Sequence, residues 1–220
     1  EECGSSDIPH YYAVEKEAPM TFSPDANFPV INTEKGMFRG HFTGEWEKSS
    51  ALPRLCSIHA GVKINVLPGK GEAVFQGVTT EAMEQAVKET EAAIGVHFEV
   101  EYSDYTPEKG DQMAKVTAVG DHAAHPEGGN NALTALIYLA NRLPLAPCGQ
   151  TEALKKLEEC FPHGDFRGKA LGIAMEDEVS GPLTLTFSML EVTETGLEGW
   201  FDSRCPICAN EENVLKPTKT

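Results

Sequence analysis

The chain has 220 residues, 40% hydrophobic and 24% charged, the proportions of a soluble domain with its own core. Its formal net charge is -16 with no basic cluster, which argues against a nucleic-acid backbone as partner, because that binding runs on Lys and Arg. No apolar run approaches the ~20 residues that cross a bilayer, and no basic segment precedes an apolar one at the start, so no membrane and no secretory class is implied; a cytoplasmic location is expected.

The first element is a helix over Ser5 to Glu17, capped by Ser6 or Asp7 and with Pro9 in its first turn. An extended stretch punctuated by Pro24 and Pro29 follows. Alternation predicts a strand from Gly36 to Trp46, a second running from Cys56 into a turn at Gly69, and a third over "GEAVFQGV". The clearest helix is "TTEAMEQAVKETEAAIG", capped by Thr79 or Thr80 and stopped by Gly95, with Ala82, Met83, Ala86, Val87, Ala93 and Ile94 as its apolar stripe. Strict alternation in "VHFEVEYS" puts Val96, Phe98 and Val100 on one face of a strand, and "QMAKVTAVG" is its neighbour.

A polar loop, "DHAAHPEGG", leads into a helix over "NNALTALIYLANRLPL" with Asn130 or Asn131 as N-cap. A second helix over "TEALKKLEECF" precedes glycine-rich "GDFRGKALG". Two strands, "GPLTLTFSMLEVT" and "GLEGWFDSRCPI", are joined by the turn "ETG", and the end reads as a helix start that breaks at Pro217. Hairpin-like strands interleaved with helices predict an α+β fold, with antiparallel sheets, helices on one face and split βαβ units.

Taken singly, the polar residues are ordinary. Glu1 and Glu2 are adjacent carboxylates of the kind that sit solvated on a surface, and Asp25 follows Pro24 as in an Asx turn. His122 and His125 share a His-x-x-His spacing, but no nearby carboxylate or thiol motif completes a tetrahedral zinc set. A histidine in that loop can instead donate a proton or stabilise an anion. Cys205-Pro-Ile-Cys208 is a Cys-x-x-Cys, readable as a redox or metal motif or as two packed thiols. The six cysteines read as reduced thiols.

In order, five stretches resemble one family. They are "EECGSSDIPHYYAVEKEAPMTFSPDANFPVINTEKG", "AGVKINVLPGKGEAVFQG", "GDHAAHPEGGNNA", "EVSGPLTLTFSMLEV" and "GWFDSRCPI". Together they are similar to the PepV-like branch of the dinuclear zinc peptidases, whose relatives include aminoacylases and succinyl-diaminopimelate desuccinylases. The resemblance implies a catalytic domain interrupted by a lid of two ferredoxin-like units. Residues 1–33 would be catalytic-domain remnant and 34–220 lid, with the second unit incomplete.

The implied chemistry is hydrolysis of a dipeptide or short peptide. Two zinc ions would bridge a water, lower its pKa and polarise the scissile carbonyl. By the same resemblance Glu1 is the general base, Glu2 a ligand of one zinc and Asp25 of the other. Asn65 and His125 would hydrogen-bond the substrate, His125 at the oxyanion, and Arg204 would clamp its terminal carboxylate. The sequence departs from the family in places. The metal-binding His-x-Asp motif upstream of the Glu pair, the bridging Asp and the late His are absent, and Cys205 stands where the family has Tyr. Two ligand positions are too few for a dinuclear site, so the chain alone is expected to be inactive and not to retain zinc. The unfinished last unit is expected to leave a sheet edge open to self-association. Two other readings are a non-catalytic binding or dimerisation module derived from the lid, and a Cys-x-x-Cys redox or metal protein.

Overall fold

The computed structural model describes residues 7–16, 18–20, 31, 33–103, 112–120 and 129–219. The chain divides into two units, Glu1–Glu34 and Lys35–Thr220. The first contributes one described helix, α1 (Asp7–Val14), with Asp7 in its first turn and no buried residue.

The second unit runs β1 (Gly36–Glu45), β2 (Arg54–Ala60), β3 (Lys70–Gln76), α2 (Thr80–Ile94), β4 (His97–Ser103), β5 (Met113–Val119), α3 (Ala132–Ala140) and α4 (Gly149–Cys160). A two-residue hairpin follows, β6 (Glu176–Asp177) and β7 (Gly181–Pro182), then β8 (Thr184–Val192) and β9 (Gly196–Cys205). The chain closes on a wide helical turn, Glu211–Leu215, and a tight one, Pro217–Lys219, near the expected break.

Seven strands form one antiparallel sheet in the order β1-β9-β8-β2-β3-β5-β4. The fold is α+β. Because β3 and β4 both pair antiparallel with β5, they run parallel to each other and are joined through α2, a split βαβ arrangement. Strands that read as two groups share this single sheet, through Ile58 to Ala60 of β2 against Leu190 to Val192 of β8.

The last strand, β9, lies inside the sheet: β1 covers it along its whole length, from Gly36 opposite Cys205 to Glu45 opposite Gly196. Among the described residues the edges are β1 and β4.

The core lies on one face of the sheet. Ile58, Ala73, Phe75, Ala114, Val116, Ala118 and Leu185 point there, and α3 packs on them with Leu133, Leu136, Ile137 and Leu139 fully buried. Each of the Val, Leu, Ile and Phe side chains among them contributes about 1.5–3 kcal/mol by leaving water, and each alanine methyl less. Phe42, Phe161, Phe187 and Phe201 form an aromatic cluster joining β1, β8, β9 and the end of α4, with the Phe161 and Phe187 centroids 4.4 Å apart. The other face carries side chains such as Arg39, His41, His59, Glu72, Glu191 and Glu198, where His41 pairs with Glu198 and His59 with Glu191.

Helix ends follow local chemistry. Thr79 caps α2 through Ala82 N, and Gly95 ends it in the left-handed conformation. Its buried stripe is Met83, Ala86 and Thr90, whereas Ala93 is exposed. α3 stops at Asn141 rather than running through to Leu145, because Pro144 lacks an N–H and disfavours helix before it. α4 starts two residues before Thr151, whose hydroxyl accepts from Cys148 N at 2.9 Å.

Candidate functional site

One end of the sheet gathers several chain segments. There β2 passes into the loop 61–69, β5 ends at Val119, β9 ends at Cys205, and β1 and β8 begin. The β8 strand runs on from Leu190 to Thr184, beyond the last residue of β2 that pairs with it. Asn65 lies in the loop 61–69 and Arg204 next to the last residue of β9, so the topology brings these two expected substrate contacts to the same end.

The loop carrying Asn65 is set by backbone geometry. Gly61, at φ 84°, opens it, and a Cβ there would lie 1.8 Å from Ser188 O. Any side chain would therefore collide with β8 in a conformation already strained for L residues. Val66 N donates to Lys63 O at 3.3 Å, tightening the turn around exposed Asn65. Leu67 and Pro68 then return into the core, where Pro68 O accepts from Ala132 N and Gly69 O from Gly120 N, both at 2.9 Å. These bonds fasten the loop to the start of α3 and the end of β5.

Asn131 completes that junction. Its Oδ1 accepts from Leu133 N at 2.9 Å and Thr134 N at 3.2 Å, capping α3. Its Nδ2 donates to Phe187 O at 2.9 Å, meeting the β8 backbone beyond the reach of β2. A Cβ on Gly120 would lie 2.1 Å from Asn130 O, so only glycine allows these two residues to approach this closely.

Arg204 is held, not loose. Its Nε donates to Asp202 Oδ2 at 2.8 Å, while Arg39 Nε on β1 donates to Asp202 Oδ1 at 2.8 Å. The Asp202 side chain is only 7% exposed, against 37% for Arg39 and 44% for Arg204. Asp202 stands opposite Arg39 and Thr186 in the sheet, so the three charged groups share the face away from the helices. Arg204 stood out in the sequence as a candidate, whereas Arg39 and Asp202 did not. The two-residue spacing of Asp202 and Arg204 on a strand was the available signal; the partnership with Arg39 needs the β1–β9 pairing.

Four expected site residues, Glu1, Glu2, Asp25 and His125, lie outside the described residues, as does His122. Among the described residues no three His, Cys, Asp or Glu side chains form a group able to hold a metal ion. One literal His-x-Asp does occur, at His163-Gly164-Asp165. His163 is pushed below the usual histidine pKa by burial and bonds Thr134 Oγ1 through Nδ1 at 2.9 Å. Asp165 closes its own turn, accepting from Arg167 N and Ala170 N.

The Cys-x-x-Cys reading finds no support in the geometry. Cys205 is buried at the end of β9, near Ser203 Oγ at 3.6 Å, and burial raises its thiol pKa. A redox cysteine of the thioredoxin kind needs the opposite shift and a helix N-terminus. Cys208 sits exposed in the following turn, its N–H donating to Asp177 Oδ2 at 3.2 Å. Asp177 is the anchor of this region: Val179 N, Ser180 N, the Ser180 hydroxyl and Cys208 N all donate to it. These bonds, led by Ser180 N, hold its carboxyl at a pKa of about 2.

No family model matches the chain. It is 30% identical over 214 residues to the protein named Putative dipeptidase YtjP of Bacillus subtilis (strain 168), a match covering 96% of this chain and 44% of that protein. It is 28% identical over 214 residues to Beta-Ala-Xaa dipeptidase of Lactobacillus delbrueckii subsp. lactis, covering 95% of this chain and 43% of that protein. The chain thus spans less than half the length of either relative. No described helix is long and apolar enough to cross a membrane.

Proposed function

We propose that the chain is the substrate-closing part of a zinc-dependent dipeptidase of the PepV-like kind, located in the cytoplasm. The observation that carries this reading is that nearly the whole chain aligns with two proteins named as dipeptidases. The geometry supports it, since Asn65 and an oriented Arg204 lie at one end of the sheet. Residues 34–220 act as the lid, with ferredoxin-like units, and residues 1–33 belong to the catalytic domain.

In this reading the Arg204 guanidinium binds the terminal carboxylate of a dipeptide or short peptide, a planar fork meeting a planar acceptor. Asn65 hydrogen-bonds the peptide backbone. His125 donates to the oxyanion that develops as the amide is attacked. Glu1 takes the proton from the attacking water and passes it to the leaving amine. Glu2 and Asp25 are the ligand positions present here for the two zinc ions, which would activate that water. Since two positions cannot hold two ions, the chain by itself does not turn over peptides.

Self-association through β1, an edge of the sheet among the described residues, belongs to the same proposal, because an edge strand presents a row of backbone groups to a partner chain. Sedimentation of the purified chain at increasing concentration tests it: a concentration-dependent dimer is expected, and a monomer throughout contradicts it.

The test of the main reading is the reading frame around this segment. It is expected to encode a His-x-Asp upstream of Glu1 and a further His downstream of Thr220. A frame that begins and ends with this chain contradicts the reading and favours a binding module instead.

A further inference from the structure

We infer that Arg39 is a second arm of the carboxylate-binding site, and that Asp202 is the buried group that sets both arms. The inference rests on the proposed role of Arg204 and deepens it.

Arg39 and Arg204 approach Asp202 in the same manner, each through Nε and each at 2.8 Å. A guanidinium has five N–H donors, and Nε carries one. Among the described residues the Nη groups of Arg39 and Arg204 donate no hydrogen bond. Two planar forks are therefore fixed at the root and open at the tip, on the face of the sheet away from the helices. Their neighbours set the spacing: Arg39 faces Asp202 across β1 and β9, and Arg204 faces Met37 one step on along the same face.

The charge balance says what fits. Two guanidinium cations around one carboxylate leave a net charge of +1. A single carboxylate neutralises it, and its two oxygens offer about four acceptor positions to the open Nη groups. A carboxamide brings no charge and turns two N–H donors toward donors. The site therefore takes substrates with a free terminal carboxylate and rejects amidated ones. Asp202 is a positioning residue here: held rigid by burial, it orients both forks in advance and lowers the ordering cost of binding.

The structural alternative is that Arg39 only compensates the buried charge of Asp202. Side-chain nitrogen NMR of the product of the complete reading frame containing this chain separates the two. The arginine resonances are followed while glycylglycine, or glycylglycinamide as control, is added at constant ionic strength. The expected result is that signals of both Arg39 and Arg204 shift with glycylglycine and neither shifts with the amide. Arg39→Gln is expected to weaken glycylglycine binding about tenfold, the factor for loss of one charge-assisted hydrogen bond. Arg39→Lys keeps the charge but not the fork, and is expected to restore only part of that loss. If Arg204 responds and Arg39 does not, the inference is overturned while the Arg204 reading stands. If neither responds, both are overturned.

Discussion

Replacing Asp202 with Asn probes the centre of this site with minimal change of shape. Both carboxylate oxygens accept a charged N–H at 2.8 Å. Hydrogen bonds to charged groups each contribute about 1.5–3 kcal/mol net. Asn keeps one acceptor oxygen and turns an amide N–H toward the other guanidinium, so one bond is lost and a donor faces a donor. The side chains of Arg39 and Arg204 are 37% and 44% exposed, so water takes up part of the released donor and the loss falls toward the lower end. We expect Asp202→Asn to lower unfolding free energy by about 2 kcal/mol. For a chain of this size that is a fall in Tm of roughly 4–8 °C. Urea unfolding at pH 7 measures it, with an unchanged dependence on denaturant as the sign that only stability moved. A loss below about 0.5 kcal/mol would place the triad among ordinary surface ion pairs and refute the organising role of Asp202.

Gly61→Ala places a Cβ against Ser188 O at a positive φ and is expected to cost about 1–3 kcal/mol, read by the same unfolding assay; an unchanged midpoint would show that the loop is not anchored there. Asn131→Ala removes the α3 cap and the bond to Phe187 O, an expected loss of about 1–2 kcal/mol, with faster hydrogen exchange at Leu133 and Thr134; unchanged exchange at both amides would contradict it. The pKa of Asp177 falls from its ordinary 3.8 to about 2 on folding, so its contribution is complete above pH 3.8 and is lost as pH drops toward 2. Acid titration monitored at the amides of Val179, Ser180 and Cys208 should show that region opening in this window, and not above it. Replacing Cys205 and Cys208 together with Ser is expected to leave the zinc content of the purified chain unchanged, and zinc lost only from the double variant would revive the metal reading.

Much of the fold was legible because its signals are local. Thr79 and Gly95 mark both ends of α2, and the alternation through Val96, Phe98 and Val100 identifies β4. The sheet order was less so. That β9 lies inside, between β1 and β8, depends on a pairing between Gly36–Glu45 and a strand about 160 residues later, which no local pattern encodes. The short β6–β7 hairpin was missed for a related reason: Asp177 and Ser180 make it by side-chain bonding over two-residue strands too short to alternate. At the site, Arg204 was found through its place in a motif, whereas Arg39 became visible only when β1 paired with β9. The buried stripe of α2 shows the remaining kind of error. Thr90 is buried and Ala93 exposed, because helix orientation on the sheet, rather than side-chain polarity, selects the inward face.

Closure of these residues over a dipeptide in a zinc enzyme is read out as hydrolysis of a dipeptide by the product of the complete reading frame containing this chain, with zinc supplied, with zinc chelated, and with Glu1→Gln. Turnover is expected with zinc, none after chelation, and a loss of at least about a hundredfold in Glu1→Gln, the scale of a general base. Turnover that persists through chelation, or that ignores Glu1→Gln, would contradict it.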